Sequence, residues 1–165
     1  MKPLLLLDID GALSPMIGKD EELGRDLLWV TAIEGVDPRL PQWLSELSEL
    51  YELVWASFWE DGANRSFGPG VGLGELDYVS FATMGEGTWK LPSVIAYVKE
   101  RRFAWVDDDL HSDAVQAFSH HASGALLLKT LPRTGITESM VEVLREFVNE
   151  DDRGVTMLHD ARVRA

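Results

Sequence analysis

Seven side chains stand out for the chemistry their types allow: Asp8, Asp10, Ser57, Lys90 and the run Asp107-Asp108-Asp109. Asp8 and Asp10 are two positions apart, so on an extended or barely turned segment they face the same side. Two facing carboxylates, joined by an acidic cluster from a neighbouring strand, repel unless a cation or a proton lies between them. Oxygen is the ligand type on offer, and that selects Mg2+. The predicted metal ligands are Asp8, Asp10, Asp108 and Asp107. Ser57 can donate to a phosphoryl oxygen, Lys90 can neutralise its charge, and Gly11 lets a backbone N–H approach the same group. Each fragment alone is weak. Asp-x-Asp-Gly is short, and an acidic run such as 107–109 also serves as a helix cap and dipole complement. Three acids in a row exceed what a cap needs.

Positioning these groups falls to short apolar runs. Residues 3–8, 52–56, 76–81, 103–107 and 125–129 read as five strands, and 27–33 as a short extended piece. Between them, Leu40, Trp43, Leu44, Leu47 and Leu50 recur at three and four, the mark of an amphipathic helix. Further helices are expected at 59–67, at 90–101 with Pro92 in the first turn, at 110–121, and from an N-cap at Thr137 to about residue 149. Strands alternating with helices, and apolar on both faces, predict an α/β fold. The expectation is a Rossmann-like three-layer α/β/α sandwich on a mainly parallel five-stranded sheet. Residues 150–165 carry mixed charge and little periodicity, and read as a loosely ordered tail after a core spanning 1–149. Ligands in such sheets bind beyond the carboxyl ends of the strands. Asp8, Ser57 and Asp107 each fall at such an end.

The 165 residues suffice for one domain with a real core, and 45% hydrophobic with 26% charged residues is ordinary for a globular protein. A net charge of −13 disfavours non-specific binding to nucleic acid or anionic lipid. The absence of cysteine removes disulfides, thiolate metal sites and thiol nucleophiles. The apolar run Leu4–Leu7 ends at Asp8, too short for a signal or membrane segment, and a cytoplasmic protein is expected.

In this order, the four pieces resemble the motifs of the haloacid dehalogenase (HAD) superfamily of aspartate-nucleophile phosphohydrolases. LLLLDIDGAL at 4–13 is similar to the first motif, with Ala12 where Thr or Val is usual. LVWAS at 53–57 is similar to the second, Lys90 in GTWKLP to the third, and AWVDDDLHSD with Asp107, Asp108 and Asp113 to the fourth. WASFWEDGAN at 55–64 also resembles small bacterial HAD-like proteins. The resemblance implies a Mg2+-dependent phosphatase in which Asp8 attacks phosphorus to form an aspartyl-phosphate. Asp10 then protonates the leaving oxygen and activates water. It further implies a metal held by the Asp8 carboxylate, the Asp10 carbonyl and Asp108, with Asp107 and Asp113 holding or orienting the metal shell. Dehalogenase members lack the second aspartate, so Asp10 favours phosphoryl chemistry.

Family members differ in inserted cap domains. Here residues 12–37 suffice for a flap, and the 32 residues between Ser57 and Lys90 already hold core elements, so no full cap is expected. The expected substrate is a phosphorylated small molecule or an accessible phosphoester on a macromolecule; the acidic surface favours the small ester or a locally basic partner. Trp59 and Trp89 can stack a base, wall the pocket or simply pack in the core, whereas Trp55 and Trp105 read as core. His111 and Arg133 lie near the expected site, and His120-His121 ends a helix. Two other readings share these motifs: a non-catalytic module that binds a phosphorylated ligand or partner, and a phosphotransferase.

Overall fold

The computed structural model describes residues 1–16, 35–149 and 155–159. Six strands alternate with five helices along the described chain: β1 (Leu4–Leu7), α1 (Leu40–Leu50), β2 (Glu52–Trp55), α2 (Gly62–Ser66), β3 (Asp77–Tyr78), α3 (Leu91–Val98), β4 (Phe103–Asp107), α4 (Ser112–Phe118), β5 (Ala125–Lys129), α5 (Glu138–Phe147) and β6 (Val155–His159). The strands form one sheet in the order β3-β2-β1-β4-β5-β6, and every pairing is parallel. The architecture is α/β and Rossmann-like.

The four leucines of β1 show how the layers form. Successive strand side chains point to opposite faces. Leu5 and Leu7 therefore enter one core, with Leu40, Trp43, Leu44 and Leu47 of α1 and Met140, Val141, Leu144 and Phe147 of α5. Leu4 and Leu6 enter the other, with Val94 and Val98 of α3 and Ala114 and Phe118 of α4. All four leucines are fully buried, and each such side chain contributes about 1.5–3 kcal/mol. A strand apolar at every position is what a sheet covered on both faces requires.

The helix signals hold at several ends. Thr137 caps α5 by accepting the Met140 N–H, and Glu138 follows in the first turn. α1 begins with Pro41 in its first turn and closes at Tyr51, whose hydroxyl donates to the Leu144 carbonyl of α5 (2.6 Å). α2, α3 and α4 are shorter than the periodicity predicts.

Two expectations about the sheet need correction. It has six strands, not five: residues 155–159, read as part of a loose tail, pair with β5 in register from Ala125↔Val155 to Lys129↔His159. Val155 and Met157 pack against one core and Leu158 against the other. Tertiary pairing picks out a short stretch that the mixed charge on either side conceals. The third strand is two residues long rather than the six of 76–81. Side chains take over neighbouring backbone groups there: the Asn64 amide accepts the Leu76 N–H and donates to its carbonyl (both 2.9 Å), and Glu60 accepts the Phe81 N–H (2.8 Å). The extended piece at 27–33 and most of the flap at 12–37 lie outside the described residues. No described helix is long and apolar enough to cross a membrane.

Candidate functional site

The order β2-β1-β4 brings the carboxyl ends of three strands side by side, and backbone pairing continues past the strands themselves. The Asp8 N–H donates to the Val106 carbonyl (3.0 Å) and the Ala56 N–H to the Leu7 carbonyl (2.8 Å). Asp8, Ser57 and Asp107 are therefore held at one edge by the ladder.

Lys90, at the N-terminal boundary of α3, reaches across to this edge. Its ammonium lies 2.9 Å from Asp8 Oδ1 and 2.7 Å from Asp107 Oδ2, and all three side chains are at least nine-tenths buried. Asp108 completes a group of three carboxylates whose oxygens lie within 4.8 Å of one another. Gly11 explains how Asp108 comes so close. A Cβ there would stand 2.5 Å from Asp108 Oδ2, and the residue sits at φ +76°, a region that favours glycine.

One buried ammonium cannot balance two buried carboxylates and a third that is half-buried beside them. Burial, reinforced by Asp107, pushes the Asp8 carboxyl up to about 8 despite the neighbouring ammonium. Burial and Asp107 likewise push Asp108 up to about 6. Burial works against the Lys90 charge, but Asp8 and Asp107 outweigh it and hold the ammonium above its usual range. The cluster thus favours uptake of a proton or a metal cation.

The donor set fits Mg2+, though not evenly. Asp107 Oδ2 accepts from Lys90 and from the Trp105 indole (3.2 Å), and Oδ1 accepts the Asp109 N–H (2.9 Å). Both of its oxygens are engaged, so Asp8 and Asp108 are the better ligands and Asp107 the anchor for Lys90. The Asp10 side chain stands outside the three-carboxylate group. Its Oδ2 accepts the Trp59 indole N–H at 2.8 Å. Ser57 is buried, and its hydroxyl oxygen accepts the Trp59 N–H (3.3 Å).

The other candidate residues have partners of their own. The Gly11 N–H donates to the Ser14 carbonyl (2.8 Å) rather than facing open space, because the chain turns tightly after Ile9. Asp113 stands outside the three-carboxylate group. Its carboxylate accepts the Thr88 N–H (2.9 Å) and hydroxyl (2.7 Å), clipping the loop before Lys90 to the start of α4. Those bonds hold its carboxyl below the usual range against the opposing effect of burial. His111 pairs with Asp109 (2.8 Å), and Arg133 is exposed on the loop after β5. Sequence reasoning missed Thr88, whose one signal was its place two residues before Lys90. It also missed that Trp59 binds Asp10, a contact that a tryptophan two residues after Ser57 suggests only once the strand order is known.

The carboxylates open into a cleft of about 310 Å3 that Asp8, Asp10, Lys90 and Asp108 share with Phe58, Trp89, Met16 and Asp109. Comparison with protein-family models, curated proteins and solved structures finds no match to this chain.

Proposed function

We propose that the chain is a Mg2+-dependent phosphomonoesterase of the HAD type, working through an aspartyl-phosphate on Asp8. The observation that carries this reading is the Lys90 ammonium bridging Asp8 and Asp107, with Asp108 alongside, at the cleft that also holds Asp10. An anionic phosphoryl group needs compensating cations in this acidic setting. Lys90 supplies one; Asp8 and Asp108 would hold a Mg2+ that would supply the second positive charge beside the phosphoryl group and favour the ionised form of Asp8.

The remaining chemistry belongs to the chain. Lys90 orients Asp8 through Oδ1, leaving its other oxygen to attack phosphorus; the P–O bond to the leaving group breaks as the Asp8–phosphorus bond forms. Asp10 gives the leaving oxygen a proton and then takes one from the water that hydrolyses the acyl phosphate. The Trp59 indole holds one Asp10 oxygen in place, which aims the other. Ser57 donates its hydroxyl proton to a phosphoryl oxygen, the Trp59 N–H having fixed its position. Asp107 acts through Lys90.

Phosphotransfer to another acceptor would use the same groups, and no particular observation favours it over water. The test is turnover of an aryl phosphate. Release of phosphate should require Mg2+, stop with chelator, and fall at least about a thousandfold in Asp8→Asn. Full activity in that variant would exclude the mechanism.

A further inference from the structure

The cleft has an apolar side that the phosphoryl chemistry does not use. Phe58 follows Ser57 directly, yet its side chain is 68% exposed. A single exposed phenylalanine is ordinary. This one lines the same cleft as Asp8 and Asp10, and it is not isolated. Its ring meets Trp89 edge-on, with centroids 6.1 Å apart, and Trp89 in turn meets Phe81 at 5.1 Å. Phe81 is buried, so the chain of rings runs from the core to the rim and packs Trp89 between the two phenylalanines. Met16 adds a thioether to the lining. Sulfur and ring edges both favour an aromatic partner.

Charge limits what such a partner carries. Among the described residues, Lys90 is the one cation lining the cleft, and it is already bonded to Asp8 and Asp107. Asp109 stands on the same lining, and the chain as a whole carries −13. A second phosphoryl group would meet carboxylates.

We infer that Phe58, Trp89 and Met16 form a subsite for an aromatic ring, so that the ligand of this cleft is a phosphomonoester with an uncharged aromatic leaving group. This rests on the phosphatase reading of the same site. The ring comes from an aryl alcohol or from a nucleobase; the chemistry recognised is common to both.

Calorimetric titration in Mg2+ with benzylphosphonate and cyclohexylmethylphosphonate tests it. The two carry the same charge and similar bulk, resist hydrolysis, and differ in the aromatic face. Benzylphosphonate should bind about fivefold more tightly, and Phe58→Leu, at an exposed position, should bring the ratio to within about twofold of one. No measurable binding of either compound, equal binding, or a preference that survives Phe58→Leu would overturn the subsite. Adenosine 5′-monophosphate, titrated likewise, assigns the ring: Phe58-dependent binding identifies a nucleobase, and its absence beside bound benzylphosphonate identifies an aryl ester. Tighter binding of adenosine diphosphate than of either monophosphoryl ligand would overturn the single-charge requirement. Turnover of benzyl phosphate is followed separately. Aromatic preference without turnover removes the phosphatase reading and leaves the subsite; turnover without preference does the reverse.

Discussion

Asp8 and Asp108 hold their protons to about 8 and about 6, above the ordinary carboxylate value of 3.8 in both cases. A folded-state value raised this way contributes stability below the unfolded value and loses it as pH rises through the folded one. In chelator, stability should therefore fall between about pH 4 and pH 8. Mg2+ should restore more at pH 8 than at pH 5, and Asp8→Asn should flatten the fall. Urea unfolding at the two pH values measures this; a metal-free protein equally stable at both would contradict the cluster as described. Gly11→Ala tests the same cluster sterically. Its Cβ would press on Asp108 at φ +76°, so Mg2+ affinity should drop about tenfold, with about 1–2 kcal/mol of stability lost. Calorimetry and denaturation read the two effects. At this scale the sequence was informative about residue types. Asp8, Asp107, Asp108 and Lys90 could be picked out from their places at strand and helix ends. Which oxygen faces which partner, and why Asp107 serves Lys90 better than a metal, depends on side-chain directions that no spacing encodes.

Among the elements, the loop before α3 matters most, because Lys90 reaches buried carboxylates from a different segment of chain. Thr88 fixes that loop: its hydroxyl donates to Asp113 and accepts the His111 N–H (2.9 Å). Thr88→Val keeps the shape and removes both bonds. Stability should fall by about 1–2 kcal/mol, and phosphate release about tenfold, with Mg2+ affinity unchanged within about twofold. Steady-state kinetics and metal titration separate these effects. A matching loss of metal affinity would place Asp113 back beside the ligands. Helix starts were legible at Thr137 and Pro92 because capping and proline geometry are local. The shortened β3 was not, since Asn64 of α2 and Glu60 just before that helix capture its neighbours' backbone groups.

Across the whole molecule, β6 covers the edge of β5 that faces away from β4. Ala125, Leu126, Leu127 and Leu128 are at most 2% exposed. Removing residues 150–165 would uncover an apolar edge strand and take away three packed side chains. The truncated chain should lose about 2–4 kcal/mol and self-associate. Unfolding midpoints and light scattering check this; an unchanged midpoint would mean that β6 contributes no stability. The alternation of apolar runs and helices made the parallel sheet legible from the sequence. The sixth strand was not, because an edge strand of mixed composition is specified by its partner.

Covalent attachment of phosphorus to Asp8 is the central claim. Acid-quenching the protein during turnover of an aryl phosphate, then mapping its peptides by mass, tests this most directly. One phosphoryl group on the peptide holding Asp8, absent from Asp8→Asn, is the predicted result. An adduct on another residue, or turnover by Asp8→Asn at the native rate, would contradict it.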